Sequence, residues 1–176
     1  MVSPGTESDA IHADLERARG EFRQLVHAGT PADLARRSDG TRWSNRELLF
    51  HMLFGYLITR NLRFIVKIVS RLPISVQKRF AAALDAGTRP FDLINYWGSR
   101  AAGRTLTPRQ MVRWMDRVIA ALHRSLDRED SAAMRRSMAF PTRWDPYFAE
   151  RMSLADLYRY PTLHFDHHRR QLTLDN

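Results

Sequence analysis

Four stretches of this chain carry apolar residues at the alternating three- and four-residue steps of an α-helix, and none shows the two-residue alternation of a strand. In the first, Ile11, Leu15, Ala18, Phe22 and Leu25 share one side of a helix over about residues 9–27. Gly29 is placed to end it as a left-handed C′ residue, and Thr30-Pro31 then opens a short turn or helix through Arg37. The second helix starts in Trp43-Ser44-Asn45-Arg46-Glu47-Leu48, where Ser44 and Glu47 are spaced as a capping box and Trp43 and Leu48 as a hydrophobic staple. Its pattern runs from about Asn45 to about Ser70. Thr107-Pro108-Arg109-Gln110 opens the third, with threonine as N-cap and proline in the first helical position, followed by a stripe of Met111, Trp114, Val118, Ala121 and Leu122. The fourth begins after Ser153 and runs towards Leu172, with Pro161 either kinking it or marking a restart. The expected fold is all-α: a four-helix bundle whose unequal connectors require at least one long crossover.

The connectors carry the remaining signals. Residues 71–105 read as an insertion between helices 2 and 3, with a short amphipathic helix from Ser75 to Ala86 closed by Gly87, then a loop containing Pro90, Gly98 and Gly103. Residues 129–152 read as a polar connector holding Phe140-Pro141 and Trp144-Asp145-Pro146. With 176 residues and 44% hydrophobic content, one core and a single domain over 1–176 are expected. There is no cysteine, which excludes disulfides, thiolate metal sites and a cysteine nucleophile. The opening residues lack a basic segment followed by an apolar one, so a cytoplasmic location is expected. The most apolar segment, Leu48 to Ile58, falls short of the ~20 residues a membrane span needs. A net charge of +9 raises nucleic acid as a partner, yet the arginines are spread through every segment, which reads as a solvated surface rather than a dedicated patch.

Projected on helix 4, His164 and His168 both fall inside the apolar stripe, flanking Leu157, while Asp166 points the opposite way. On helix 2, Glu47, Leu48, Phe54, Gly55, Ile58 and Leu62 lie within about 60° of His51, so this histidine also faces a core, and Gly55 leaves space where a ligand could sit. Histidines at i and i+4 can both reach one metal at ~2.1 Å, and a third imidazole from a facing helix completes a three-histidine set with an open fourth position. Without thiolates, such a set suits zinc, nickel, iron or copper. Inward histidines also serve as hydrogen-bonded core residues, and a pair near a helix C-terminus favours its negative end, so the spacing alone leaves both readings open.

The stretch Trp43-Ser44-Asn45-Arg46-Glu47-Leu48-Leu49-Phe50-His51 resembles the DinB/YfiT family's tryptophan, small polar residue, glutamate and histidine opening the second helix. His164-Phe165-Asp166-His167-His168-Arg169-Arg170-Gln171-Leu172 resembles its terminal signature, two histidines four apart followed by a glutamine. The order of helices agrees from about residue 8 to 172. The resemblance implies a bundle with one divalent metal (zinc, nickel or iron) bound by His51, His164 and His168, and a homodimer. It further implies a metal-dependent transferase joining a low-molecular-weight thiol cosubstrate, such as bacillithiol or mycothiol, to an electrophile. The 71–105 insertion, Pro161 and His167 depart from the shorter members, and the insertion bears on substrate class because it can cover the metal mouth.

Other residues take smaller parts. Glu47 and Gln171 are the weak catalytic candidates: Gln171 shares the metal face and can hold a ligand imidazole, whereas Glu47 already has its capping role. His167 is expected at the rim. His12, His27 and His123 have no partner at metal spacing and read as surface or structural residues, and Tyr96, Trp97 and Trp144 read as packing residues. Arg169 and Arg170 stand where an anionic cosubstrate could meet them. Two further functions compete with the transferase: a metal-dependent hydrolase using metal-bound water, and a non-enzymatic basic module binding nucleic acid in a stress response. The metal site is expected to be open, at the end of the bundle. Finally, Leu49, Met52, Leu53 and Tyr56 make helix 2 apolar on the side away from His51, which the insertion or a second subunit must cover.

Overall fold

The computed structural model describes residues 4–174; residues 1–3 and 175–176, which the expected domain includes, lie outside it. Helix α1 (Pro4–Ala28) buries the expected stripe, Ile11, Leu15, Ala18 and Phe22, and continues it with Val26. Gly29 does not adopt the left-handed conformation expected of it. Its lack of a side chain serves packing, because a Cβ there would come within 3.0 Å of Leu34 Cδ2. A short helix α2 (Pro31–Ala35) follows, with Thr30 and Asp33 as a reciprocal capping box.

Helix α3 (Asn45–Val69) starts at the Ser44–Glu47 box read from the sequence. The insertion then forms two helices. The first, α4 (Ile74–Ala86), was expected; the second, α5 (Thr88–Thr105), replaces the expected loop and runs through all three residues that argued against it. Pro90 falls in the first turn, where a missing N–H has no intrahelical acceptor to lose. Gly98 has open space around it, and Gly103 is buried where α5 crosses α3, its would-be Cβ only 2.7 Å from the Cα of Glu47. In that position glycine is a contact residue, not a breaker.

Helix α6 (Pro108–Leu126) is capped by Thr107 and Gln110 and buries Met111, Met115, Val118, Ile119, Leu122 and Leu126. Trp114 was placed on that stripe by its spacing but is 38% exposed, because the buried line passes through Met115 and Ile119 instead. The long connector holds a one-turn helix α7 (Ser131–Met134) and a small hairpin. In it β1 (Ser137–Ala139) pairs antiparallel with β2 (Arg151–Ser153), Met138 opposite Met152. Both methionines are buried, as are Phe140 and Phe148 between the strands, so the connector carries core residues within its polar composition. Helix α8 (Leu154–Arg169) is capped by Ser153 and Asp156 and passes through Pro161 without a restart.

In space α1, α3, α6 and α8 form a ring in which α1 touches α6 and α8, and α3 touches the same two. Helix α5 lies against α3 from outside the ring. Leu49, Met52, Leu53 and Tyr56 are therefore all buried within one chain, with Tyr56 against Phe165 and bonded to Thr162, and they need no second subunit to cover them. Burying such side chains contributes about 1.5–3 kcal/mol each, which holds α3 in its place in the ring. His12 and His123 tie α1 to α6, a structural role of the kind expected of them: their Nδ1 atoms are 2.5 Å apart, and their outer nitrogens meet Asp127 and Glu16. Among the described residues no helix is long and apolar enough to cross a membrane.

Candidate metal centre

Two elements present the three inward histidines. His51 lies in the second turn of α3, and His164 and His168 lie one turn apart near the end of α8, the helix that packs closely along α3. One nitrogen from each lies within 4.8 Å of the others. The His51 and His168 Nε2 atoms face each other at 3.1 Å, and the His164 Nε2 is buried with no hydrogen-bond partner. Gly55 makes room for this arrangement rather than for a ligand: a Cβ there would sit 3.0 Å from His164 Cδ2.

The opposite nitrogens decide which tautomer each ring adopts. His51 Nδ1 lies 3.1 Å from the Asn95 side-chain oxygen, His164 Nδ1 3.0 Å from Asp145 Oδ2, and His168 Nδ1 2.6 Å from Gln171 Oε1. Oxygen acceptors at all three place the proton on Nδ1, so in the neutral rings every Nε2 carries a lone pair pointing inward. Two such lone pairs at 3.1 Å repel, and the third, on His164, is orphaned; a cation among them satisfies all three at once. The residues present therefore fit a divalent ion, on their own geometry.

Electrostatics agree. Burial, followed by the neighbouring His164 and His168 rings, holds His51 well below the usual imidazole value. Burial and His164 likewise push His168 down to about 3, against the opposing bond to Gln171. Burial raises Asp145, but its bonds with His164, Tyr147 and Tyr160 outweigh this and leave it below the usual carboxylate range. Tyr160, buried and donating to Asp145 at 2.9 Å, is held well above the ordinary phenol value. Unprotonated imidazoles at His51 and His168, with an ionised carboxylate behind His164, are states a metal ligand set requires.

The site is more enclosed than an open bundle end. His51 and His164 are 5% and 4% exposed, because α5 covers one side through Asn95 and Ser99, and the connector covers another through Asp145. Phe54, Ile58, Phe91, Trp144 and Phe148 make an apolar wall around a void of about 20 Å³ beside His51 and His164. The opening is at His168, where a cavity of about 390 Å³ is lined by Gly40, Arg42, Trp43, Tyr96 and Gln171. Trp43, expected as a staple, stacks on the His51 ring at 4.4 Å.

Of the other candidates, Gln171 sits on His168 as the shared face suggested. Glu47 has no bond to His51; its oxygens serve the Ser44 cap and Arg104. His167 lies beside the cluster, bonded to Tyr147. Tyr96 and Trp144 line the cavities at the centre, whereas Trp97 is 55% exposed and packs in no core. Arg169 is engaged with Glu21 on α1. Asn95 and Asp145, the acceptors behind two of the rings, were not picked out from the sequence. Asp145 had only the Trp-Asp-Pro turn to mark it, and Asn95 lay in what read as a loop.

The fold and the site thus define an all-helical bundle with a buried three-histidine cluster between its second and last long helices, able to hold one metal ion. The chain belongs to the DinB superfamily, whose sequence profile matches residues 14–172. No curated protein and no solved structure matches it significantly.

Proposed function

We propose that this chain is a metal-dependent transferase in which His51, His164 and His168 bind one divalent ion, zinc, nickel or iron, and an external thiol is joined to an electrophile. The observation that carries the metal reading is the convergence of the Nε2 atoms, with each Nδ1 held by a separate oxygen. His51, His164 and His168 would hold a divalent ion as neutral imidazoles that leave its charge intact, and the ion would supply the Lewis acidity that favours the anion of a thiol or of water near neutral pH. The chain's own groups do the rest. Asn95, Asp145 and Gln171 fix the ring orientations, the apolar wall of Phe54, Ile58 and Phe148 limits water, and the cavity at His168 admits a small molecule. Among the described residues no carboxylate is bonded to the cluster except Asp145, which faces His164 from behind. The site is thus better suited to a nucleophile that ionises readily than to one needing a separate base, which favours a thiol over water.

The decisive experiment is elemental analysis of protein purified without a nickel column, together with product analysis with and without added thiol. One ion per chain is expected in the wild type and in His167→Ala, and none in His51→Ala, His164→Ala or His168→Ala. Full occupancy after any of the last three substitutions removes that residue from the site. Turnover that ignores thiol and releases a hydrolysis product makes the enzyme a hydrolase. A cytoplasmic homodimer is part of the same proposal by family resemblance, with the outer face of α5, where Leu93, Ile94 and Trp97 stand exposed, as its surface. Sedimentation of the wild type against Trp97→Ser reads that directly.

A further inference from the structure

A cavity of about 870 Å³ lies beside the metal centre and not over it. Its walls come from α2, the start of α3 and the end of α5, and they bring together Arg37, Arg42, Arg46, Arg100 and Arg104. They come from two segments, 37–46 and 100–104, that are far apart in sequence and meet only in the fold. A single carboxylate, Glu47, faces them, and it is fully used: Oε2 accepts from the Ser44 N–H at 3.0 Å and Oε1 from Arg104 Nε at 2.8 Å. Arg100 stands 3.8 Å from the same oxygen and donates to the Tyr96 hydroxyl. Arg46 bonds the Leu106 carbonyl through Nη2, while its Nε is buried with no partner. Arg37 donates through Nε to the Thr41 carbonyl, and Arg42 is exposed at the rim. Five positive charges against one negative, within a concave wall, focus a field that draws in anions, and guanidinium forks match carboxylate and phosphate oxygens.

The groove also connects to the centre. Arg42, Trp43 and Tyr96 line both this cavity and the smaller one that opens on His168 and Gln171. Trp43 is the shared partition, stacked on His51 from the groove side, with its Nε1 buried and unpartnered.

We propose that the arginine groove binds a small molecule carrying at least two carboxylate or phosphate charges, whose uncharged end extends past Trp43 and Tyr96 to the opening at His168. Its role as the handle of a cosubstrate rests on the transferase reading; its capacity to bind anions does not. Anions are anchored by Arg46 and Arg100 in the wall and steered by Arg37 and Arg42 at the rim. Glu47 then acts as the fixed countercharge that keeps Arg104 and Arg100 in place, a positioning role and not a catalytic one.

Calorimetric titration of the full chain with tricarballylate and with pyrophosphate, at constant ionic strength set by sodium chloride, separates the carboxylate from the phosphate source. One site per chain is expected for at least one probe. Arg46→Gln with Arg42→Gln should weaken it by about tenfold or more, and exposed Arg42→Gln alone by a few-fold without disturbing the fold. Arg128→Gln, remote from the groove, should leave it unchanged. Absence of saturable binding by both probes, or equal affinity in the wild type and the double variant, overturns the proposal. So does tighter binding of a short single-stranded oligonucleotide that the double variant loses, since that makes the groove a nucleic-acid surface. Repeating the titration with His168→Ala separates the two readings: anion binding that persists there while metal is lost supports the groove on its own. Metal retained by His168→Ala counts against the metal assignment and leaves the groove standing.

Discussion

Each of the three inward imidazoles is oriented by an oxygen from a different part of the fold: an amide on α5, a carboxylate in the long connector and an amide just past α8. The carboxylate is the only charged member, so it matters most to ligand basicity, and removing such a group commonly costs roughly tenfold to a hundredfold in metal affinity. Asp145→Asn keeps the shape but can turn an N–H toward His164 Nδ1, which would reverse that ring's tautomer and aim a proton at the metal position. Chelator competition should therefore show a larger loss for Asp145→Asn than for Gln171→Leu, whose partner His168 stands at the opening. Equal affinities for wild type and Asp145→Asn would mean that the carboxylate does no more than fill space. That His51, His164 and His168 face inward was legible in the helical spacing, whereas their reading as one ligand set came with the family resemblance. Asp145 and Asn95 were not legible, since what brings an acceptor behind a ring is the path of a connector, and no periodicity records that path.

Helix α5 shows the same limit one level up. Pro90, Gly98 and Gly103 are helix breakers on average, yet here each stands where its cost is small or is needed. The long helices were readable because their ends announce themselves: Ser44 with Glu47 and Thr107 with Gln110 form the expected reciprocal caps. Helix α5 has no side-chain cap at its start, so its first residues look like a continuation of α4 past Gly87. What keeps it helical is docking on α3 through buried Ser99 and Gly103. That makes Gly103→Ala a direct test. Alanine favours helix by about 1 kcal/mol over glycine, but a Cβ only 2.7 Å from backbone of Glu47 forces the helices apart, at about 1–3 kcal/mol. The net expectation is a lower thermal midpoint and weaker metal binding, as Asn95 withdraws from His51. Gly98→Ala, with nothing within 4 Å, should instead raise the midpoint. The opposite order of the two variants would show that α5 is held by its own propensity and not by the contact.

At the scale of the whole molecule, a chain with a net charge of +9 surrounds two imidazoles, His51 and His168, that burial holds uncharged. This sets the sign of its acid response in the metal-stripped protein. The folded-state values of His51 and His168 lie below the usual value of about 6.5, the latter at about 3, so as pH falls the unfolded chain takes up these protons first. Their contribution to stability is complete above about pH 6.5 and is lost progressively as pH falls through it. Asp145 has the opposite place on the scale: its folded value lies below the carboxylate range, so its contribution is still intact while the histidines are losing theirs. Between pH 7.5 and pH 5 the histidines therefore dominate, and the urea midpoint of the stripped protein should fall. Repulsion within a basic surface pushes the same way, so the informative quantity is the difference from a variant that lacks one of the titrating rings. His168→Gln retains the charge background and should show a shallower decline over that interval. Were the stripped wild type and His168→Gln to lose stability in parallel, the acid sensitivity would belong to the surface charge and not to the buried cluster.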